Sequence, residues 1–154
     1  MKLTILSVGR QKSGPEKDLF DDYCERFRKS GRALGFRSLD VHAVDAGGGL
    51  DAEGGRLLAK IPDGAHVLRL DEGGEQLGSK QFAGFLAKLR DQGQGDLVFL
   101  IGGAEGFSEA VRKAAPQQLA FGPQTWPHRL VRVMLAEQVY RAASLLAGSP
   151  YHKA

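Results

Sequence analysis

A cluster of glycines follows the most apolar run of the sequence and is the first candidate for a binding site. The run 97–101 contains β-branched and aromatic residues, which predicts a strand buried on both faces of a parallel sheet. Gly102, Gly103 and Gly106 follow it. Because glycine has no Cβ, a ligand can approach the backbone closely at a strand's carboxyl end, where open α/β sheets bind ligands. The spacing fits a nucleoside-like ligand and a tight strand-to-helix turn without ligand equally well.

Residues suited to proton transfer and charge stabilisation concentrate near the C-terminal end of the sequence. His128, Arg129 and Arg132 fall at the start of a predicted helix. The segment 151–153 combines an aromatic ring, a titratable imidazole and a cation. A lone histidine after a proline is more often a cap or surface residue than a base, and a short tail is often frayed and inert. On residue type alone, both groups stay candidates.

Glu137 and Arg141 lie four residues apart on the predicted helix 130–147, which is otherwise apolar nearly all round. The order of acid before base is the favoured one for a helical pair. Charges on a buried helix are costly unless they are paired. The pair is therefore either an internal ion pair that fixes packing or an arginine held in place for an anionic partner. Because the helix is apolar on several sides, we expect a second subunit to cover part of it.

The overall composition excludes several classes of protein. With 42% hydrophobic and 25% charged residues, the chain is expected to fold, and its net charge of +3 permits an RNA partner without demanding one. Cys24 is the sole cysteine and is expected in the core, while the four histidines lack metal-ligand spacing, so no metal is expected. No apolar stretch approaches the roughly 20 residues of a membrane span. We therefore expect a cytoplasmic protein that does not enter a membrane.

The sequence also lacks the common catalytic and phosphate-binding motifs. It contains no dinucleotide-binding Gly-x-Gly-x-x-Gly, no phosphate-binding loop ending in Gly-Lys-Ser/Thr, and no Gly-x-Ser-x-Gly nucleophile turn. These absences lower the odds of a nicotinamide enzyme, a nucleotide hydrolase and a serine hydrolase.

Strands alternate with helices along the sequence, which predicts a single α/β domain over residues 1–154 with a largely parallel sheet. Strands are predicted over 2–8, 36–46, 65–70, 97–101 and 119–121, and helices over 15–31, 50–61, 79–92, 108–115 and 130–147. Ser79 is predicted to cap the third of these helices. Two prolines and a glycine exclude regular structure from 122–127.

Four separated motifs carry a resemblance to a known family. They are Leu-Ile-Gly-Gly-Ala-Glu-Gly at 100–106, Pro-His-x-Leu-Val-Arg-Val at 127–133, Ala-Glu-Gln-x-Tyr-Arg-Ala at 136–142, and Pro-Tyr-His-Lys at 150–153. In this order, and over essentially the whole chain, the sequence resembles the ribosomal RNA large subunit methyltransferase H family. It departs from that family at Ala104, where many members have proline, and at Ala154, where an acidic residue is common.

The resemblance implies a fold, a methyl donor and a substrate. The fold is the SPOUT α/β type with a C-terminal trefoil knot, and the protein is a homodimer packed through the knotted region. The methyl donor is S-adenosylmethionine, and the substrate is a pseudouridine of 23S rRNA, methylated at N3 on the assembled ribosome. The residues expected to bind the donor are Leu70, Gly102, Gly103, Gly122, Pro123, Gln124, Thr125, Trp126 and Pro127.

The roles expected for the polar residues follow from that substrate. N3 of pseudouridine carries a proton that must leave, so a nearby base helps, and a cation stabilises charge on the flanking oxygens. His152 is the expected base, although His128 could exchange roles with it. Lys153 or Arg132 is the expected cation, and Tyr151 is expected to stack on a base or on the donor. In a dimer, the tail could reach the partner's donor and make each site composite.

Two other functions stay open from the sequence. One is a non-catalytic, ribosome-associated factor that binds a nucleoside, but such a factor would not need the polar residues of the tail. The other is a tRNA methyltransferase of the same fold. The chain has no separate RNA-binding domain, which favours recognition of a preformed ribosomal surface over recognition of free RNA.

Overall fold

The computed structural model describes residues 1–153, which form five strands and five α-helices. Along the chain these are β1 (Lys2–Val8), α1 (Pro15–Gly31), β2 (Ser38–Val44), α2 (Leu50–Ala59), β3 (His66–Glu75), α3 (Ser79–Asp91), β4 (Asp96–Ile101), α4 (Glu109–Ala114), β5 (Gln118–Leu119) and α5 (His128–Ala147). Two short 3₁₀ turns cover Arg32–Leu34 and Pro150–Lys153. The alternation of strands and helices predicted from the sequence is confirmed.

All five strands pair in parallel, in the order β2-β1-β4-β3-β5. The central strand β4 has no side chain from Leu97 to Ile101 more than 1% exposed, as its continuous apolar run predicts. Ile101 pairs with Ser7 of β1 and with Leu70 of β3, so the carboxyl ends of β1 and β4 lie together beside the middle of β3. The predicted α/β fold with a parallel sheet is confirmed, and the trefoil knot stays a prediction.

Apolar layers cover both faces of the sheet. On one face, α1, α3 and α5 contribute Phe20, Phe27, Leu86 and Val139 to the larger core. Cys24 belongs to this layer, and burial raises the pKa of its thiol to about 12, so it is a core residue, as predicted. On the other face, α2 and α4 form a smaller core. The sheet is therefore covered on both faces.

The bounds of two strands differ from their predictions. The third strand was predicted over 65–70, but β3 continues to Glu75 because Glu75 pairs again with Leu119 beyond an irregularity in register. The last strand was predicted over 119–121, whereas β5 comprises Gln118 and Leu119 only. The pairing of Glu75 with Leu119, more than forty residues apart, decides where both strands end. A pattern read over a few neighbouring residues cannot show such a pairing.

Two predictions made from local patterns are wrong in detail. Ser79 is the first residue of α3 and does not cap it, because its hydroxyl donates to Oε1 of Gln138 at 2.8 Å. Instead Oε1 of Gln81 accepts from the backbone N–H of Gly78 at 2.8 Å. The second strand was predicted over 36–46, but β2 spans 38–44, and its apolar residue Val41 is 40% exposed. Because β2 is the outer strand of the sheet, part of its apolar face lies outside the helical layer.

Helix α5 begins two residues before its predicted start. Pro127 is its N-cap, and the carbonyl of Pro127 accepts from the backbone N–H groups of Leu130 and Val131. The helix ends as predicted at Gly148, whose φ of 70° is readily adopted by glycine. Within residues 1–153, no helix combines the length and the apolar character needed to span a bilayer.

Candidate functional site

A cavity of about 360 Å³ opens at the carboxyl ends of β4 and β5, beside Leu70, Asp71 and Glu72 of β3. Its walls also include the turn after β4, the loop 122–127 and the start of α5. Of the residues that the sequence suggested for donor binding, those lining the cavity are Leu70, Gly102, Gly103, Gly122, Gln124, Thr125 and Trp126. Pro123 and Pro127 belong to the same loop but do not line the cavity. The cavity therefore brings together residues separated by more than fifty positions in the sequence.

The turn after β4 has little room for side chains. The N–H of Gly106 donates to the carbonyl of Gly103 at 3.1 Å, and Gly106 has a φ of +83°. A Cβ on Gly102 would lie 2.9 Å from the carbonyl oxygen of Gly106, and a Cβ on Gly103 would lie 3.2 Å from Cγ1 of Val8. The glycines are thus required by the tight turn itself, and this turn lines the cavity.

The loop 122–127 forms a second wall of the cavity and has no regular structure, as its prolines predict. Gly122 adopts a φ of +97°, which lets the chain reverse after β5. The indole Nε1 of Trp126 donates to the carbonyl of Phe121 at 3.0 Å, and the ring is 37% exposed. The hydroxyl of Thr125 donates to a carboxylate oxygen of Glu72 on β3.

Charged residues that the sequence reasoning did not assign also line the cavity. Asp71 and Glu72 extend from β3, and Arg112 reaches the cavity from α4. Oδ2 of Asp71 accepts from Nη1 of Arg69 at 3.0 Å, while Nε of Arg69 donates to the carbonyl of Ala115 at 2.6 Å. Arg69 is only 3% exposed, so burial lowers its pKa while the carboxylate of Asp71 opposes this shift. In the sequence, the signal that could have identified Asp71 and Glu72 is their position directly after the apolar strand predicted over 65–70.

His128 is the histidine that lines the cavity, at the first position of α5. Desolvation of the ring lowers its pKa below the usual 6.5, and the nearby Arg132 cation lowers it further. The neutral imidazole is thereby favoured near pH 7. A neutral imidazole at the cavity wall is able to accept a proton from a bound molecule.

Arg132 does not line the cavity, contrary to what a role beside the substrate requires. The residue is 6% exposed, and its Nη2 donates to the carbonyl of Gly9 at 2.8 Å and to that of Val8 at 3.3 Å. Burial, with a smaller effect of Arg129, lowers its pKa. In this arrangement the guanidinium ties α5 to the end of β1.

The tail folds back along α5 instead of entering the cavity. The ring of Tyr151 lies 4.7 Å from that of Tyr140, and its hydroxyl donates to Oε1 of Glu137 at 3.1 Å. Burial, the hydrogen bond with Tyr23 and the charge of Glu137 raise the pKa of Tyr151. Among the described residues, none of 150–153 lines the cavity. His152 and Lys153 are therefore not brought to the cavity of their own chain.

Glu137 and Arg141 form an ion pair on α5, with Nη2 of Arg141 2.6 Å from Oε1 of Glu137. The side chains are 17% and 21% exposed, and the guanidinium also lies 5.0 Å from the centre of the Tyr151 ring. The pair thus anchors the tail to the helix, which corresponds to the packing interpretation. Within residues 1–153 no group of three or more His, Cys, Asp or Glu side chains could hold a metal ion.

Comparison with known proteins defines the class of the molecule. The family described as predicted SPOUT methyltransferase matches residues 1–152. This match and the parallel sheet with its edge cavity make the protein a SPOUT methyltransferase.

Individual relatives narrow the class. Ribosomal RNA large subunit methyltransferase H of Hyphomonas neptunium is 62% identical over 154 residues, covering 100% of both chains. The proteins of that name from Dinoroseobacter shibae and Bradyrhizobium diazoefficiens are 51% and 48% identical, over 99% and 100% of both chains. The chain belongs to this ribosomal RNA large subunit methyltransferase H family. The family predicted from the sequence is confirmed, and with it a methyltransferase that uses S-adenosylmethionine.

Proposed function

We propose that this methyltransferase transfers the methyl group of S-adenosylmethionine to N3 of a pseudouridine in 23S rRNA, on the assembled ribosome. The observation that carries the proposal is the cavity at the sheet edge, in a chain that matches its relatives over its full length. Those relatives are named for the ribosomal RNA of the large subunit. The net charge of +3 is compatible with an RNA substrate.

The cavity has a size and a lining suited to the donor. Its volume of about 360 Å³ falls in the range of roughly 300–1,000 Å³ that is usual for small-molecule sites. Apolar side chains such as Leu70, Ile101 and Leu119 face the cavity beside the backbone of the glycine turn and of the loop 122–127. Backbone N–H and C=O groups there would hydrogen-bond the adenine ring. S-adenosylmethionine, when bound, supplies an electrophilic methyl group, and the chain's task is to orient it.

Removal of the N3 proton requires a base, and two histidines are candidates. His128 lines the cavity with a lowered pKa, which supports its neutral ring nitrogen as the acceptor of that proton. His152 is the second candidate and would have to come from the tail of another copy. Lys153 is exposed and, like His152, would have to come from the tail of another copy to approach the oxygens that flank N3. The ties of Arg132 to Val8 and Gly9 make it the weaker choice for this cation.

We further infer that two copies of the chain build each complete site. The tail lies on its own α5, away from its own cavity, so a catalytic tail must serve the cavity of a partner. A groove of about 550 Å³ between α1, α3 and α5 carries apolar residues such as Leu19, Phe82 and Met134. Leu19 and Leu130 are 45% and 41% exposed. Apolar exposure of this kind on α1 and α5 supports a homodimer packed through these helices.

The proposed function is tested by labelling with S-adenosylmethionine that carries a tritiated methyl group. The protein is incubated with whole ribosomes, with free 23S rRNA and with tRNA, and the labelled RNA is mapped by mass spectrometry. We expect label at N3 of one pseudouridine of 23S rRNA. Whole ribosomes should incorporate far more label than free 23S rRNA. Label in tRNA would identify a tRNA methyltransferase. Absence of label, with the donor still bound, would identify a binding factor without catalysis.

A further inference from the structure

We propose that Glu72 is a positioning residue that holds the loop 122–127 over the cavity through the hydroxyl group of Thr125. The Thr125 hydroxyl donates to Oε2 of Glu72 across 53 positions of sequence. Both residues line the cavity, one from the extension of β3 and one from the loop. The inference rests on the proposed function, because it takes this cavity as the donor site.

The loop 122–127 has few other ties to the rest of the chain. Its remaining hydrogen bonds are local: Trp126 donates to Phe121, and the carbonyl of Pro127 accepts from Leu130 and Val131. From Pro123 to Pro127 every residue is exposed. Within residues 1–153, the bond from Thr125 to Glu72 is the one hydrogen bond that joins this loop to the sheet. The position of the loop over the cavity therefore depends on it.

The Glu72 end of this contact is fixed from both sides. On one side, Asp71 accepts from the buried guanidinium of Arg69 at 3.0 Å, and the same guanidinium donates to the carbonyl of Ala115 at 2.6 Å. On the other side, the carbonyl of Glu75 accepts from the N–H of Ala120 at 3.0 Å. Glu72 thus lies in a short unpaired segment of β3 whose two ends, Leu70 and Glu75, both pair with Leu119. The contact joins the loop 122–127 to this segment of the sheet.

Substitutions can remove either the acceptor on Glu72 or the donor on Thr125. An amide oxygen still accepts from the Thr125 hydroxyl, so Glu72→Gln keeps the hydrogen bond, whereas Glu72→Ala removes it. Thr125→Val removes the donor and keeps the shape of the side chain. Glu75→Gln is the matched control, since Glu75 lies exposed on the same strand and its carboxylate makes no hydrogen bond within residues 1–153. Removing the contact frees the loop, so donor binding must then include the cost of ordering it.

Trp126 offers a direct measurement of the loop in the protein without donor. It is the sole tryptophan of the chain and lies next to Thr125. We expect acrylamide to quench its fluorescence more strongly in Glu72→Ala and Thr125→Val than in the unchanged protein. Glu72→Gln should restore most of the protection, and Glu75→Gln should leave it unchanged. In the double variant with Glu72→Ala and Thr125→Val, acrylamide should quench Trp126 no more strongly than in either single variant. Each substitution removes the same hydrogen bond, so the second adds nothing to the first.

Calorimetric titration with S-adenosylmethionine provides the second measurement. Glu72→Ala and Thr125→Val should bind it about 3- to 10-fold more weakly, the size expected for one net hydrogen bond, and Glu72→Gln should recover part of this loss. Unchanged quenching in Glu72→Ala would overturn the proposal, as would a freed loop with unchanged affinity. Failure of the cavity as the donor site is detected separately, by a Gly102→Ala variant that binds the donor normally.

Discussion

Nη2 of Arg132 donates to the carbonyl oxygen of Gly9 at 2.8 Å, which joins two residues 123 positions apart. The same nitrogen lies 3.3 Å from the carbonyl oxygen of Val8. The guanidinium is therefore used inside the protein, at the junction of β1 and α5. Arg132 is 6% exposed, and among the described residues its buried Nε has no hydrogen-bond partner. The burial and the two bonds of Nη2 favour a structural tie over a cation that acts on RNA.

We predict that Arg132→Ala mainly lowers the free energy of unfolding. The substitution leaves the carbonyl groups of Val8 and Gly9 without their side-chain donor and removes a buried side chain, at a cost of about 1–3 kcal/mol. Urea unfolding measures this loss. Arg129→Ala is the control, because Arg129 is exposed and its loss should change stability by less than about 0.5 kcal/mol. If the Arg132→Ala protein were stable and bound the donor but methylated poorly, the result would instead support Arg132 as the catalytic cation.

The glycine turn gives a second prediction. In Gly102→Ala the new Cβ would meet the carbonyl oxygen of Gly106 at 2.9 Å, so the turn must shift and the cavity change shape. We expect the protein to fold and to lose most of its affinity for S-adenosylmethionine in calorimetry. Gly84→Ala is the matched control: Gly84 lies in α3 with nothing near its would-be Cβ, and alanine there should stabilise the helix by about 0.5–1 kcal/mol. Unchanged affinity in Gly102→Ala would exclude this cavity as the donor site.

Predictions from the sequence were most accurate where one local property decides the structure. The apolar run 97–101 predicted the central strand, and the helix predicted over 130–147 ends at Gly148 because glycine readily adopts the backbone conformation of a helix end. The glycines predicted the cavity edge, although the turn itself already requires them. Long-range partners decided the rest. The extension of β3 depends on Leu119, the hydroxyl of Ser79 bonds to Gln138, and the roles of Asp71 and Glu72 depend on Arg69 and Thr125.

The lowered pKa of His128 predicts a dependence of stability on pH. Between the unfolded value near 6.5 and the lower value of the folded protein, the unfolded chain binds more protons. The contribution of His128 to the free energy of unfolding is therefore fully present above about pH 6.5. It is lost as the pH falls toward the lower pKa of the folded protein. Urea unfolding at a series of pH values from 5 to 8 should show a shallower acid loss in His128→Gln. If the free energy of unfolding depended on pH in the same way in the unchanged protein and in His128→Gln, the lowered pKa of His128 would be contradicted.

A composite site predicts that deleting residues 150–154 separates binding from catalysis. The described tail residues do not line the cavity of their own chain, so we expect the truncated protein to bind S-adenosylmethionine with normal affinity. Methylation of ribosomes should be lost, because the polar side chains of the tail are gone. Tyr151→Phe is the control for packing: it keeps the ring against Tyr140 and removes only the hydroxyl group, with its hydrogen bonds to Glu137 and Tyr23. Full activity of the truncated protein would exclude a catalytic tail.

Mixed dimers decide whether the tail acts on its own chain or on a partner. One chain carries the tail deletion and the other Gly102→Ala, with two affinity tags to isolate the mixed species. If the tail serves the partner, the intact cavity of the first chain receives the intact tail of the second, and methylation returns although both parent dimers are inactive. If the tail serves its own chain, no site in the mixed dimer is complete and it stays inactive. We expect activity to return, since the fold of the single chain holds Tyr151 on α5, away from its own cavity.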